Sequence, residues 1–261
     1  ERPIFYTGGG IINSGPEASA LLRELVELTG APVTSTLMGL GAFPASSDKW
    51  LGMLGMHGTY EANLAMNRAD LIICLGARFD DRVTGRLDAF SPSSAKIHID
   101  IDRSSINKTV AVDLPIVADV GSALADIIAL WKNIGATARN LSHWVADIDG
   151  WRARKSLDYA EAGDEIMPQR AIADLFAATR GRNVIISTEV GQHQMWAAQH
   201  FHFDDPNKWL TSGGLGTMGY GLPAAIGAQV GSPDALVIDI AGDASIQMNI
   251  QELGTATQYR L

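Results

Sequence analysis

The chain has 261 residues, 46% hydrophobic and 19% charged, which is enough apolar material for about two domains at roughly 150 residues each. Its 29 Asp and Glu against 20 Lys and Arg leave a net charge of −9 with no Lys/Arg run, which argues against nucleic acid or an anionic membrane surface as a partner. One cysteine, Cys74, excludes an internal disulfide, and no signal peptide, transit peptide or membrane span is legible, so a reducing, cytoplasmic location is expected.

Glu1-Arg-Pro-Ile-Phe-Tyr6 enters a strand at once and lacks an initiator Met, the expectation for a piece of a longer protein. That strand, Pro3 to Tyr6, breaks at Thr7-Gly-Gly-Gly10, and a helix with a Leu/Val stripe runs from Pro16 to Thr29. Strand, Gly-rich turn and helix open a dinucleotide-binding sheet, although Gly8-Gly9-Gly10 is not a full G-x-G-x-x-G. Ala31 to Ser35 is the next strand, with the loop Thr36-Leu37-Met38-Gly39-Leu40-Gly41 at its end. Met53-Leu54-Gly55-Met56-His57 precedes a helix from Thr59 to Arg68. Asp70 to Leu75 is a buried strand holding Cys74 as a small core residue, and Gly76 to Gly85 leaves its C-terminal end.

Lys96 to Ile101 is a strand closed by Asp102, Pro115 to Ala118 is another ending at Asp119, and Gly121 to Lys132 is a helix. This βα alternation predicts a parallel sheet of about six strands. The run Arg78-Phe-Asp-Asp-Arg82 follows a buried strand, where open α/β sheets bind ligands, and Arg suits forked contact with carboxylate or phosphate. A solvated loop with local ion pairs is the competing reading. Asp100 and Asp119 either bind ribose hydroxyls or cap helices. His57 is more simply a helix-start histidine than a catalyst, and no Cys or Glu spacing suggests zinc.

Asn133 to Glu165 has no strong period and reads as a partly helical connector. A helix follows from Pro168 to Thr179, then a strand from Asn183 to Ser187. Glu189-Val190-Gly191-Gln192-His193-Gln194-Met195-Trp196 leaves that strand; Gln192 and His193 could reach a diphosphate, or simply start a helix. Leu210 to Ala228 holds six glycines and opens a small-residue helix. Apolar residues from Ala235 to Ile238, then Ile240 and Ala241, predict a strand covered on both faces, with a Gly242-Asp243-Ala244-Ser245 turn and a helix through Thr257. Asp243 offers a hard oxygen to a divalent cation and Ser245 a helix start that favours phosphate, against the plain alternative of an N-cap.

Together, Met53-Leu-Gly-Met-His57, Arg78-Phe-Asp-Asp-Arg82, Val190-Gly-Gln-His-Gln-Met-Trp196 and the two Gly-rich segments resemble acetolactate (acetohydroxyacid) synthases, within the thiamine-diphosphate enzymes. The resemblance covers essentially the whole chain but only the middle of the family's full length. It implies an α/β fold of two doubly wound parallel-sheet domains: an FAD-binding, Rossmann-like domain at 1–133, a connector at 134–165, and the N-terminal part of the thiamine-diphosphate/Mg2+ domain at 166–261. It assigns flavin contacts to Gly8, Gly9, Thr36, Leu37, Met38, Leu54, Gly55, His57, Gly76, Arg78, Asp80, Asp100, Ile101, Asp119 and Val120. It directs Val190, Gly191, Gln192, His193, Gly216, Met218, Gly242, Asp243, Ala244 and Ser245 toward thiamine diphosphate, with Asp243 on Mg2+. Arg82 matches the residue that takes the carboxylate of the second 2-keto acid, and Met53 an apolar wall of that pocket.

The implied reaction condenses two pyruvates, or pyruvate with 2-ketobutyrate, with loss of CO2, for branched-chain amino-acid biosynthesis. FAD is implied as a structural cofactor, and a homodimer or larger assembly with a regulatory subunit as the working form. Two departures stand out. Ala244 replaces the third residue of the family's Gly-Asp-Gly, and the chain stops at Leu261 before the family's second metal-binding Asn, leaving half a Mg2+ site. The family's cofactor-activating Glu belongs to an N-terminal domain outside these residues and is not Glu189, so the 261-residue piece is expected to be inactive alone. Two alternatives stay open. One is another thiamine-diphosphate enzyme (pyruvate oxidase, glyoxylate carboligase or a 2-keto-acid decarboxylase), separable by its product; the other is a non-catalytic nucleotide-binding module.

Overall fold

The computed structural model describes residues 1–161 and 163–261. They form two compact units: Glu1–Asp158 with Asp204–Pro206, and Tyr159–Phe203 with Asn207–Leu261.

The first unit is built on strands β1 (Pro3–Thr7), β2 (Val33–Ser35), β3 (Trp50–Met53), β4 (Leu71–Leu75), β5 (Ala95–Asp100) and β6 (Leu114–Val117). All pair in parallel in the order β3-β2-β1-β4-β5-β6, a doubly wound arrangement whose chain order reverses between β1 and β4. Ile4, Phe5 and Tyr6 of β1 are fully buried at the sheet's centre. Helices α1 (Gly9–Asn13), α2 (Pro16–Thr29), α3 (Tyr60–Arg68), α4 (Asp81–Thr84) and α5 (Val120–Asn133) connect the strands. Helix α2 begins on Pro16 and stops at Gly30, whose φ of +70° is a left-handed cap open to glycine without strain. Thr59 caps α3 by accepting the Ala62 amide.

In this unit β3 and α6 depart most from the expectation. Strand β3 went unread because it is short and carries Gly52, a residue that weakens a strand pattern. Helix α6 (Ser142–Arg152) lies in the segment read as a connector, yet it belongs to the first unit, which runs to Asp158 rather than ending at 133. Trp144 is 2% exposed and donates its indole N–H to the Pro3 carbonyl at 3.0 Å, while Ile148 joins the same core. Arg152 donates to the Asp48 and Trp50 carbonyls at 2.6 and 2.7 Å, tying α6 to β3. Only Trp144 and Ile148 of α6 are buried, so its apolar stripe is too thin for its bounds to be read, although the segment was expected to be partly helical.

The second unit has a parallel three-stranded sheet, β8 (Trp209–Thr211), β7 (Val184–Thr188) and β9 (Leu236–Ile240), with β7 central. Its helices are α7 (Pro168–Ala178), α8 (Gln192–His200), α9 (Gly221–Gly231), α10 (Asp243–Gln247) and α11 (Glu252–Tyr259). Strand β9, expected to be covered on both faces, is an edge strand half-buried along its length. The helix expected after it is broken into α10 and α11 by a tighter turn, with the amides of Glu252, Leu253 and Gly254 each bonded to the carbonyl three residues back. No helix among the described residues is long and apolar enough to cross a membrane.

Candidate cofactor-binding sites

Parallel pairing brings the C-terminal ends of all six strands of the first unit to one edge, and backbone hydrogen bonds knit those ends together. The Thr36 amide donates to Thr7, Gly8 to Leu75, Gly76 to Ile99 and Ala118 to Asp100, at 2.9–3.1 Å. At the reversal point β1 and β4 end in glycines that touch. A Cβ on Gly8 would lie 2.2 Å from the Gly76 carbonyl oxygen, and one on Gly10 would lie 2.6 Å from the Gly76 Cα. Gly76 itself has φ +61°. This makes a floor of bare backbone where doubly wound sheets receive a diphosphate. Gly9 lies against Met38, which is 41% exposed, and the Gly39 amide bonds the Thr36 carbonyl, so Thr36, Leu37 and Met38 form one wall of that edge.

The Arg78–Arg82 run is shaped by one aromatic residue. Phe79 takes a left-handed φ of +52°, uncommon for a bulky side chain, and inserts into the core beside Tyr6, Phe90 and His98. Its neighbours are thereby turned outward: Arg78 is exposed and donates to the Asp80 carboxylate at 3.3 Å. Asp80 also accepts the Arg82 amide as the cap of α4. Burial pushes the Asp80 carboxyl up, but the Arg82 amide and the flanking groups outweigh it and hold it below the ordinary value. Arg82 is exposed, its guanidinium making only a 3.9 Å pair with Asp81. The Met56 amide donates to the Arg82 carbonyl at 2.8 Å, and Asn63 brackets Gly55 through both its amide and its carbonyl. Leu54, Gly55 and Arg82 are therefore neighbours, with Met53 buried on β3 just behind and His57 at the exposed turn before α3.

At the far side of the edge, Asp100 accepts the Asp102 amide at 2.8 Å, and Ile101 beside it is 71% exposed. Asp119 caps α5, accepting the Ser122 amide at 3.0 Å and the Ser14 hydroxyl at 2.7 Å. These bonds hold the Asp119 carboxyl below its ordinary value, the Ser122 amide contributing most. Val120 is buried. Since Ser14 also accepts the Gly121 amide, Asp119 ties the α1–α2 turn to α5. Asp119→Ala is expected to destabilise the full-length protein by about 1–2 kcal/mol, the usual effect of losing a helix cap, measurable by urea denaturation.

The second unit repeats the arrangement with different chemistry. Val190, Gly191, Gln192 and His193 leave β7; Gly216 and Met218 lie in an exposed loop after β8; Gly242 to Ser245 leave β9. The His193 ring joins the first and last of these, lying where a Cβ on either Gly191 or Gly242 would come within 2.8 Å of it. Burial lowers the His193 pKa, against the raising pull of Glu189 and Asp243, and its Nε2 is buried without a partner among the described residues. Gly216, with φ +66°, lies 3.8 Å from Val190 at its Cβ position, and Met218 is 38% exposed. Asp243 is exposed at the first turn of α10, and Ser245 is buried with its hydroxyl turned to the Gly242 carbonyl. Ala244 is helical, with negative φ, so the methyl group brings no backbone strain. Among the described residues no group of three or more His, Cys, Asp or Glu could hold a metal, so Asp243 stands as a single carboxylate.

Three residues here take part in contacts that no sequence pattern assigns. Glu189, fully buried, accepts the Gly219 and Leu222 amides at 2.6 and 3.1 Å, so its carboxylate is committed. Asn249 donates to the Gly219 carbonyl at 2.5 Å. Asp239 has both carboxyl oxygens buried without partners among the described residues; burial first, then Glu189, pushes its pKa up to about 7. Only Asp239 left a readable sign, a lone acid inside Leu236-Val-Ile-Asp-Ile240.

Residues 1–127 match the family described as thiamine pyrophosphate enzyme, central domain, and residues 189–261 match thiamine pyrophosphate enzyme, C-terminal TPP binding domain. The chain belongs to the thiamine pyrophosphate enzyme family, and its two parallel-sheet units carry the middle and C-terminal domains of that family. Within the family it is similar to the acetolactate synthase large subunit of Buchnera aphidicola subsp. Schizaphis graminum, 49% identical over 261 residues, all of this chain and 45% of that protein. It is 48% identical over 263 residues to the acetolactate synthase isozyme 3 large subunit of Escherichia coli K12, again all of this chain and 45% of the relative. The chloroplastic acetolactate synthase 1 of Nicotiana tabacum is 49% identical over 256 residues, 98% of this chain and 38% of that protein. The chain thus spans less than half the length of these relatives.

Proposed function

We propose that the full-length protein carrying these residues is an acetolactate synthase, which joins pyruvate to a second pyruvate or to 2-ketobutyrate with loss of CO2. The observation that carries this reading is the gathering of His193, the Gly219 turn and the Gly242–Ser245 turn at the C-terminal edge of the second unit's sheet. Similarity to acetolactate synthase large subunits over the whole chain supports it.

Thiamine diphosphate, when bound, supplies the carbanion chemistry, so no side chain here has to act as a nucleophile. The chain's own residues bind and orient. Asp243 would share a Mg2+ with the diphosphate, since one carboxylate from the protein suits a cation that keeps phosphate and water ligands. Val190 to His193, Gly216, Met218, Gly242, Ala244 and Ser245 would line that cofactor. In the first unit the bare glycine floor of Gly8 and Gly76 fits the diphosphate of FAD, with Gly9, Thr36 to Met38, Leu54, Gly55, His57, Arg78, Asp80, Asp100, Ile101, Asp119 and Val120 around it. Arg82 would take the carboxylate of the second 2-keto acid, with Met53 as an apolar wall. The buried Cys74 suits the cytoplasm. A large subunit also implies a smaller partner, and we include that partner and self-association in the proposal.

In the full-length enzyme Arg82→Ala is expected to raise the apparent KM for the second 2-keto acid by about tenfold or more, the loss of a charged hydrogen bond. An unchanged KM removes Arg82 from that role. Release of acetaldehyde, peroxide or tartronate semialdehyde in place of acetolactate would sink the proposal and favour another branch of the family.

A further inference from the structure

Gly219 is gripped on both sides of its peptide. Glu189 accepts its amide at 2.6 Å, and Asn249 donates to its carbonyl at 2.5 Å. No side chain fits there: φ is +84°, and a Cβ would lie 2.9 Å from Asn249 Nδ2 and 3.1 Å from the Met248 Cβ. Two residues on, the Ser187 hydroxyl donates to the Gly221 carbonyl at 2.9 Å, seating the start of α9 on β7. The stretch just before the grip is the opposite. Residues 213–218 are exposed throughout, and Leu215 is 95% exposed. An exposed loop therefore ends on a point fixed by residues from the end of β7 and from the turn between α10 and α11.

We infer that Glu189 and Asn249 are positioning residues, which anchor the 213–218 loop so that Gly216 and Met218 are presented to the cofactor already in place. This rests on the thiamine-diphosphate reading above. The physical gain is preorganisation: a loop held at its end loses less conformational freedom when a ligand orders it. Neither residue takes part in proton transfer, because the Glu189 carboxylate is committed to two amides and Asn249 is neutral.

The test uses full-length protein. Amide hydrogen exchange of the cofactor-free wild type is expected to show Gly219 and Leu222 protected and the amides of 213–216 exchanging at once. Asn249→Asp keeps the shape but turns a donor into an acceptor facing the Gly219 carbonyl. It is expected to weaken thiamine diphosphate binding about tenfold in a tryptophan-fluorescence titration with Mg2+, the loss of one hydrogen bond made unfavourable. Asn249→Gln, which keeps the donor, should recover part of that affinity, and FAD affinity should not change. A rapidly exchanging Gly219 amide, or Asn249→Asp binding thiamine diphosphate as the wild type does, overturns the inference. Should the wild type fail to bind thiamine diphosphate, the proposed function falls, and the exchange pattern alone decides the grip; it also decides if the variants do not fold.

Discussion

Replacing Gly76 by alanine is expected to destabilise the full-length protein by about 2–5 kcal/mol and to abolish flavin binding. Two effects add. The backbone at Gly76 has φ +61°, which disfavours any L side chain by about 1–2 kcal/mol. The new methyl group would also lie 2.6 Å from the Gly10 Cα and 3.0 Å from its carbonyl carbon, backbone atoms of α1 that cannot swing aside, an overpacking worth about 1–3 kcal/mol. Relief by separating β1 from β4 would open the floor on which a diphosphate is proposed to lie. Gly85→Ala is the control, since it also has positive φ, at +56°, but nothing within 4 Å of its Cβ position. Urea denaturation and an FAD titration of both variants check the claim. If Gly76→Ala is no worse than Gly85→Ala, the close approach of the two turns is not what holds that site.

Asp239 is expected to lose its contribution to stability as pH rises from about 4 to about 7, so the stability of the wild type relative to Asp239→Asn should fall across that window. The sign follows from the raised pKa. With the folded value pushed up to about 7 and an unfolded Asp near 3.9, the folded chain holds a proton that the unfolded chain has lost over that window. Stability is full below the unfolded value and is lost up to the folded one. At 1.36 kcal/mol per unit, about three units set an upper bound of about 4 kcal/mol, which solvent near this half-buried edge strand reduces. The cause is local: neither carboxyl oxygen has a partner among the described residues, Glu189 lies close by, and a Cβ on Gly221 would fall 2.4 Å from Asp239 Oδ1. Melting temperatures of the wild type and Asp239→Asn across pH 4 to 8 give the comparison. Parallel curves would contradict a buried neutral acid at Asp239.

The backbone of the fold was legible where local patterns are dense. Pro3–Thr7, the glycines after it and the Leu/Val stripe of α2 announce a doubly wound sheet, and Asp70–Leu75 reads as a strand in any register. Elements with thin patterns were missed or left without bounds: β3 is interrupted by Gly52, β8 is three residues long, and α6, inside the segment expected to be partly helical, buries only Trp144 and Ile148. For the sites, the strand-end position of Arg78 to Arg82 was readable, but the left-handed Phe79 that turns Arg78 and Asp80 outward was not. The pairing of Gly8 with Gly76, and the grip of Glu189 and Asn249 on Gly219, exist only in three dimensions, between residues far apart in sequence. The two amides that occupy both Glu189 oxygens come from residues thirty or more positions away, beyond the reach of a local pattern.

The most direct measurement is product analysis of the full-length protein supplied with pyruvate, thiamine diphosphate, Mg2+ and FAD. Acetolactate, formed with one CO2 for every two pyruvates consumed, is the expected result. Free acetaldehyde, peroxide, or no pyruvate consumption by folded, cofactor-loaded protein would contradict the proposed function.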